Sequence, residues 1–127
     1  MIDHISIAVR DLAASARFYE SVLGTLGFRK VRDQPATVGF GKAYPEFWLN
    51  ARPSMPLVPE DTGFHFCVRA PSTEAVDAFY RAALAAGGTS DGAPGMRPEY
   101  SASYYAAFVR DLDGNRIEAV TFLKAQE

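Results

Sequence analysis

An internal repeat constrains the fold of this chain more than any other feature of the sequence. Shifted by about 61 positions, the first half aligns without a gap onto the second half. The aligned pairs are His4 with His65, Ile5 with Phe66, Ile7 with Val68, Phe18 with Phe79, Tyr19 with Tyr80, Leu23 with Leu84 and Gly27 with Gly88. Helix propensity alone would not place a histidine, an aromatic pair and a glycine at one offset. The repeat therefore predicts two copies of one folding unit.

Each copy has the same predicted order of elements, βαβββ. Residues 1–10 alternate between apolar and small or polar side chains, which indicates a strand with one buried face. Apolar residues then recur at steps of three and four from Leu12 to Leu26, which predicts a helix that ends at Gly27. We therefore predict one α+β domain over residues 1–127, with module 1 at 1–51, a proline-rich linker at 52–63 and module 2 at 64–127.

The ends of the two modules align at a different offset, because the segment 89–103 of module 2 is longer. A shift of about 70 positions aligns Phe47 with Ile117 and Trp48 with Glu118. We expect segment 89–103, which is rich in glycine, proline and serine, to form a short strand and a long loop. The repeat is thus stronger at the start of each module than at its end.

Composition and charge exclude several classes of function. The net charge is −2 without a block of like charges, whereas a nucleic-acid surface usually needs a basic stripe. The single cysteine, Cys67, excludes an internal disulfide. The sequence has no run that would predict a signal peptide or a membrane span, so we expect a cytoplasmic protein that binds neither nucleic acid nor membrane.

The closing segment from Tyr104 to Phe122 predicts a hairpin whose second strand carries one carboxylate among apolar neighbours. Asp113 and Gly114 form the expected turn. Glu118 is that carboxylate, and it is costly to bury unless a positive partner meets it. The pattern therefore indicates a functional position on the last strand.

The predicted partner of Glu118 is a divalent metal held also by the only two histidines, His4 and His65. All three residues lie on the less apolar face of their strands by alternation. Two imidazoles and a carboxylate suit Fe, Mn, Ni or Zn with positions left open for substrate or water. The alternative is that these are unrelated polar residues lining a cavity that binds an organic ligand without metal.

The doubled βαβββ order, the segment DLDGNRIEAV and a helix carrying Phe18 and Tyr19 after His4 resemble the vicinal oxygen chelate superfamily. This superfamily includes glyoxalase I, extradiol dioxygenases, fosfomycin-resistance thiol transferases and bleomycin-resistance proteins. The resemblance covers essentially the whole chain. It implies that the two modules form a glyoxalase-like cup of mixed sheet, that the cup holds a metal and a small molecule, and that the chain forms a homodimer.

The chain departs from glyoxalase I at one informative position. That enzyme has a second carboxylate where the repeat places Trp48, and tryptophan neither ligates a metal nor accepts a proton. Glyoxalase I activity is therefore disfavoured, although Glu46 has the same strand parity and is a possible displaced substitute. Metal-dependent lyase, dioxygenase and thiol-transferase activities stay open, as does metal-free sequestration of a drug or metabolite of the bleomycin-resistance kind.

Four further residues are candidate walls of a substrate site: Ser6, Trp48, Cys67 and Tyr105. Ser6 follows His4 on the same face, and it matches only partly the threonine of the thiol transferases. Cys67 shares the parity of His65, but a lone strand cysteine is more often an apolar filler. Tyr105 belongs with Arg97, Tyr100 and Tyr104 to a possible lid, and the two adjacent tyrosines could equally be one core and one surface residue.

Overall fold

A computed structural model describes residues 1–124 and contains the two predicted modules. Module 1 consists of β1 (Ile5–Val9), α1 (Leu12–Gly24), β2 (Arg29–Asp33), β3 (Thr37–Gly41) and β4 (Phe47–Ala51). Module 2 consists of β5 (Phe66–Arg69), α2 (Thr73–Ala85), β6 (Thr89–Met96), β7 (Tyr104–Arg110) and β8 (Arg116–Phe122). Residues 52–65, between the modules, contain neither helix nor strand. The predicted βαβββ order and the α+β class are confirmed.

The two four-stranded sheets have the same mixed topology. Their strand orders are β1-β4-β3-β2 and β5-β8-β7-β6. In both sheets the first strand pairs in parallel with the last, and the other pairings are antiparallel. Strand pairing therefore places the first and last strands of each module side by side, as the metal hypothesis requires.

The strand registers reproduce the two repeat offsets. Ile5 lies opposite Phe47 in module 1, and Phe66 lies opposite Ile117 in module 2. The first members of these pairs are 61 positions apart and the second members are 70 positions apart (66 − 5 and 117 − 47). Glu118 is therefore the structural counterpart of Trp48.

The helices begin where side chains cap them and bury their apolar stripes against the sheets. Asp11 accepts from the backbone N–H of Ala14 at 3.0 Å, and Ser72 accepts from that of Ala75 at 3.1 Å. The apolar residues buried with the helices form one cluster that includes both modules. Phe47 and Phe66 stack within it with ring centroids 4.9 Å apart. We call the helix-facing side of each sheet its core face and the other side its open face.

The turn between β7 and β8 attaches module 2 to module 1 through buried polar groups. Asp113 accepts from the backbone N–H of Arg10 at 3.1 Å and from its Nε at 2.9 Å. Asp111 accepts from the Tyr19 hydroxyl at 2.6 Å, and Asn115 donates to the Ala8 carbonyl at 3.2 Å. These bonds hold the end of β1 beside the start of β8.

Segment 89–103 differs from its prediction in the length of its strand. Strand β6 spans eight residues and is longer than expected, because register shifts near Gly92 and Gly95 let it stay paired with β7. Within residues 1–124, no helix is both long and apolar enough to cross a membrane.

Candidate functional site

The open face of module 2 presents a buried carboxylate with two side-chain donors beside it. Glu118 is only 2% exposed. Its Oε1 lies 2.9 Å from His65 Nε2, and its Oε2 accepts from the Tyr104 hydroxyl. His65 itself is half exposed, so the imidazole presents this pair to the open face.

Strand pairing produces this arrangement. Glu118 is on the central strand β8, opposite Cys67 of β5 and Phe108 of β7. Ile117 and Ala119, its neighbours in sequence, point to the core face and are buried in the apolar cluster. The alternation of β8 thus fixes the carboxylate on the open face, and β5 brings His65 to one side of it.

His4 does not reach this pair. It precedes β1 and is exposed, and its Nδ1 lies 2.8 Å from Asp3 Oδ1. His4 and His65 nevertheless line the same cavity of about 500 Å³, which lies between β1 and β5. In residues 1–124, no three metal-binding side chains of His, Cys, Asp or Glu type converge on one point. The structure therefore brings together two of the three predicted ligands.

The two residues that meet have the chemistry of a divalent metal site. Two donors bound to one ion at about 2.0–2.2 Å lie about 3.0–3.4 Å apart, depending on the geometry. The observed distance of 2.9 Å between His65 Nε2 and Glu118 Oε1 is close to that range. A neutral imidazole and a carboxylate also suit Zn and the other divalent metals named above. His65 and Glu118 therefore fit a divalent ion. For His4 to become the third ligand, its imidazole would need to move toward that ion from the other side of the cavity.

Cys67 lies beside the carboxylate, and its surroundings disfavour the thiolate. Partial desolvation by its neighbours, and then the charge and hydrogen bond of Glu118, raise the pKa of Cys67 to about 12. A thiol with this pKa is protonated at neutral pH and is a poor nucleophile. Ser6, its counterpart in module 1, is exposed on the open face of β1 opposite Trp48.

Trp48 lies on the open face of module 1, where the repeat predicts the counterpart of Glu118. It pairs with Gly39 of β3, and a Cβ atom added to Gly39 would lie 3.0 Å from the indole ring and from Pro45 Cβ. The glycine therefore makes room for the indole. Glu46 lies two residues earlier and lines the cavity between the modules.

Tyr105 does not lie on the open face with the other candidates. It sits opposite Thr121, packs against the buried cluster and donates to Asp77 of α2 at 2.6 Å. The adjacent Tyr104 takes the position on the open face, where its hydroxyl meets Glu118. Of the two adjacent tyrosines, whose faces the sequence left open, Tyr105 is thus the core residue and Tyr104 the one beside Glu118.

The family model of the Glyoxalase/Bleomycin resistance protein/Dioxygenase superfamily matches residues 1–119. The chain belongs to this superfamily. No curated protein matches the chain. The superfamily predicted from the repeat is thereby confirmed, whereas its members' individual activities do not follow from membership.

Solved structures of the superfamily agree with this assignment. A glyoxalase/bleomycin resistance protein from Albidiferax ferrireducens T118 is 31% identical with a TM-score of 0.82, and the match covers 93% of this chain and 96% of that one. A glyoxalase/bleomycin resistance protein/dioxygenase family enzyme from Burkholderia phytofirmans PsJN is 22% identical with a TM-score of 0.75, covering 96% and 98%. A glyoxalase-related enzyme from Fulvimarina pelagi is 18% identical with a TM-score of 0.73, covering 94% and 86%. The last two show the fold alone.

Sequence reasoning did not single out one residue that lies next to the site of this superfamily member. Phe108 is opposite Glu118, and its ring centroid lies 6.3 Å from that of His65. The Arg97 guanidinium lies 5.3 Å from the centroid of the same ring. The alternation of β7 could have found Phe108, because Ala107 and Val109 occupy the core face on either side of it.

Proposed function

We propose that this superfamily member is a metal-dependent enzyme acting on a small molecule whose neighbouring oxygen atoms chelate the ion. His65 and Glu118 are its first two ligands and His4 is the third. The observation that carries the proposal is the contact of 2.9 Å between His65 Nε2 and Glu118 Oε1. Glu118 points to the open face, but the side chains around it leave it buried. A buried carboxylate without a lysine or arginine partner is expensive, and a divalent ion would compensate it.

A bound divalent ion would supply Lewis-acid chemistry for the oxygen atoms of the substrate. The chain's own residues orient the ligand carboxylate and shield the substrate from water. Tyr104 donates to Glu118 Oε2 and so fixes the carboxylate rotamer, leaving Oε1 directed at His65. Phe108 and Trp48 present aromatic surface on the open faces of the two sheets. The substrate would lie against these faces, and the two aromatic rings would limit the access of water to it.

The reaction class is a lyase, dioxygenase or transferase reaction, and glyoxalase I activity is disfavoured. Trp48 occupies the position where a mobile carboxylate base would be needed. Glu46 is its nearest substitute, but it aligns with Arg116 in the repeat and lies just before β4. All three reaction classes require a metal with coordination positions left open for the substrate.

We further propose that the working form is a homodimer. Exposed apolar side chains occur at both ends of the chain and beside the site, and they include Ile2 at 80%, Phe64 at 52% and Phe122 at 40%. Covering them with a second copy would remove apolar surface from water and close the cavity between the modules. Size-exclusion chromatography with light scattering tests this, and a monomer at all concentrations would contradict it.

Metal analysis of protein purified without a histidine tag tests the proposal. We expect close to one divalent ion per chain in the wild type and a large loss in His65→Ala and Glu118→Gln. Glu74→Gln is the matched control, because Glu74 is exposed on α2 away from the site. Substoichiometric metal that is equal in all four proteins would overturn the proposal.

Metal-free binding of a drug or metabolite is the second candidate, and one observation favours it. His4 bonds to Asp3 and the cavity of about 500 Å³ has mostly apolar walls, which suits an organic ligand. A ligand-binding assay on the same variants separates the two, because sequestration predicts ligand binding that survives both Glu118→Gln and removal of metal by a chelator.

A further inference from the structure

The guanidinium of Arg97 lies on the open face beside the candidate metal ligands. It sits 5.3 Å from the centroid of the Phe108 ring. Phe108 is directly opposite Glu118 in the β7–β8 pairing, and its ring centroid is 6.3 Å from that of His65. One aromatic ring therefore separates the positive charge of Arg97 from the histidine and the carboxylate.

Two carbonyls of strand β6 hold the guanidinium of Arg97, the residue that follows this strand, in one orientation. Nη2 donates to the Ala93 carbonyl at 2.6 Å, and Nη1 donates to the Met96 carbonyl at 3.3 Å. Gly92 and Gly95 make room for it, since a Cβ atom added to either would lie 3.2–3.3 Å from a guanidinium nitrogen. The segment whose glycines lengthen β6 is thus also the segment that seats this side chain.

Arg97 keeps both charge and free donors after these contacts. Its hydrogen-bond partners are neutral carbonyls, and a guanidinium has five N–H donors, of which these bonds use two. Within residues 1–124, no carboxylate lies within salt-bridge distance of Arg97, whereas Arg110 and Arg116 both pair with Asp91. Arg97 is therefore preorganised to bind an anion that residues 1–124 do not themselves supply.

We propose that Arg97 binds a carboxylate group of the substrate. The substrate then belongs to the class of oxygen-chelating small molecules that carry a carboxylate in addition to the two chelating oxygens. The planar guanidinium matches the geometry of a carboxylate, and the Phe108 ring beneath it offers a surface for the body of the molecule. This inference rests on the proposed metal-dependent function and adds the substrate class to it.

Three probes with identical vicinal oxygens test the inference: catechol, 3,4-dihydroxybenzoate and the neutral isostere 3,4-dihydroxybenzamide. Their affinities for protein of measured metal content are determined by isothermal titration calorimetry. We expect the wild type to bind the benzoate at least about tenfold more tightly than the benzamide, because one charge-assisted hydrogen bond contributes on this scale. Arg97→Gln removes this preference and leaves the affinity for catechol unchanged.

Two further variants make the result specific. Arg69→Gln removes another guanidinium of this face, which lies over Phe122 and has no carboxylate partner among residues 1–124, and is expected to leave the preference intact. Arg97→Lys keeps the charge without the planar fork and is expected to retain only part of the preference. If Arg97→Gln does not fold, as judged by its melting temperature, an unchanged preference in Arg97→Lys still overturns the inference.

The outcomes separate the two proposals. If catechol binds in a metal-dependent way but the benzoate has no advantage, or if Arg69→Gln abolishes the advantage and Arg97→Gln does not, the role of Arg97 is refuted and the metal-dependent function stands. If catechol fails to bind and metal is absent, the proposed function fails and the inference fails with it.

Discussion

Replacing Asp113 should weaken the attachment between the modules by a predictable amount. Asp113 is 2% exposed, and its Oδ1 accepts from Arg10 N at 3.1 Å and from Arg10 Nε at 2.9 Å. Asp113→Ala leaves the backbone N–H unsatisfied, which costs about 1–3 kcal/mol. The lost ion pair adds at most about 1 kcal/mol, because the Arg10 side chain is 42% exposed and the pair is screened.

We therefore expect Asp113→Ala to lower the free energy of unfolding by about 1–4 kcal/mol. Asp113→Asn keeps an acceptor for the backbone N–H and should lose about half as much. Urea unfolding followed by circular dichroism measures both values. Asp61→Ala is the control, since Asp61 is exposed in the linker and should change stability by less than about 0.5 kcal/mol.

The reasoning would be refuted if Asp113→Ala were no more destabilising than the Asp61 control. It would also be refuted if Asp113→Asn lost as much stability as Asp113→Ala, because the side-chain oxygen that accepts from the Arg10 backbone N–H would then contribute nothing to stability. Since β1 follows His4 and β8 carries Glu118, a loosened attachment should also weaken metal binding in Asp113→Ala.

Three further predictions follow from individual contacts. Burial raises the pKa of Asp111 in the folded state, so on acidification the folded chain binds this proton before the unfolded chain does. The free energy of unfolding of the wild type should therefore rise relative to that of Asp111→Asn as the pH falls from about 7 to about 4. Urea titrations at each pH measure this difference. Gly39→Ala should cost about 1–3 kcal/mol and shift the fluorescence of Trp48, which lies 3.0 Å from the added Cβ. Its control is Gly24→Ala at the last position of α1, where an added Cβ meets nothing within 4 Å and stability should change by less than about 0.5 kcal/mol. Cys67, with a pKa of about 12, should react with iodoacetamide at about pH 8 far more slowly than a free thiol in metal-free protein.

The sequence was sufficient to predict the order of elements because the repeat shows the same unit twice. Two offsets aligned Ile5 with Phe66 and Phe47 with Ile117, and the structure adds that the members of each module pair with each other across parallel strands. The same offsets placed Trp48 where Glu118 stands in the other module. Side-chain alternation then assigned faces correctly wherever the core residues were clearly apolar.

The candidate site was less predictable, for two physical reasons. In β7, Tyr104 and Tyr105 are both aromatic, and the alanines that follow fit either face, so alternation could not decide which tyrosine faces Glu118. The distance from His4 to His65 depends on how the modules pack, which local patterns do not encode. The buried contacts of Asp113 with Arg10 are of the same kind, since they join residues 103 positions apart.

Anomalous diffraction from crystals soaked with Zn or Ni tests the central claim most directly. The account predicts one ion bonded to His65 Nε2 and to a Glu118 carboxylate oxygen at about 2.0–2.2 Å, with His4 as the third protein ligand. The direct contact of 2.9 Å between His65 and Glu118 would then be replaced by two bonds to the ion. An ion bound elsewhere, or none bound while that contact persists, would contradict the account.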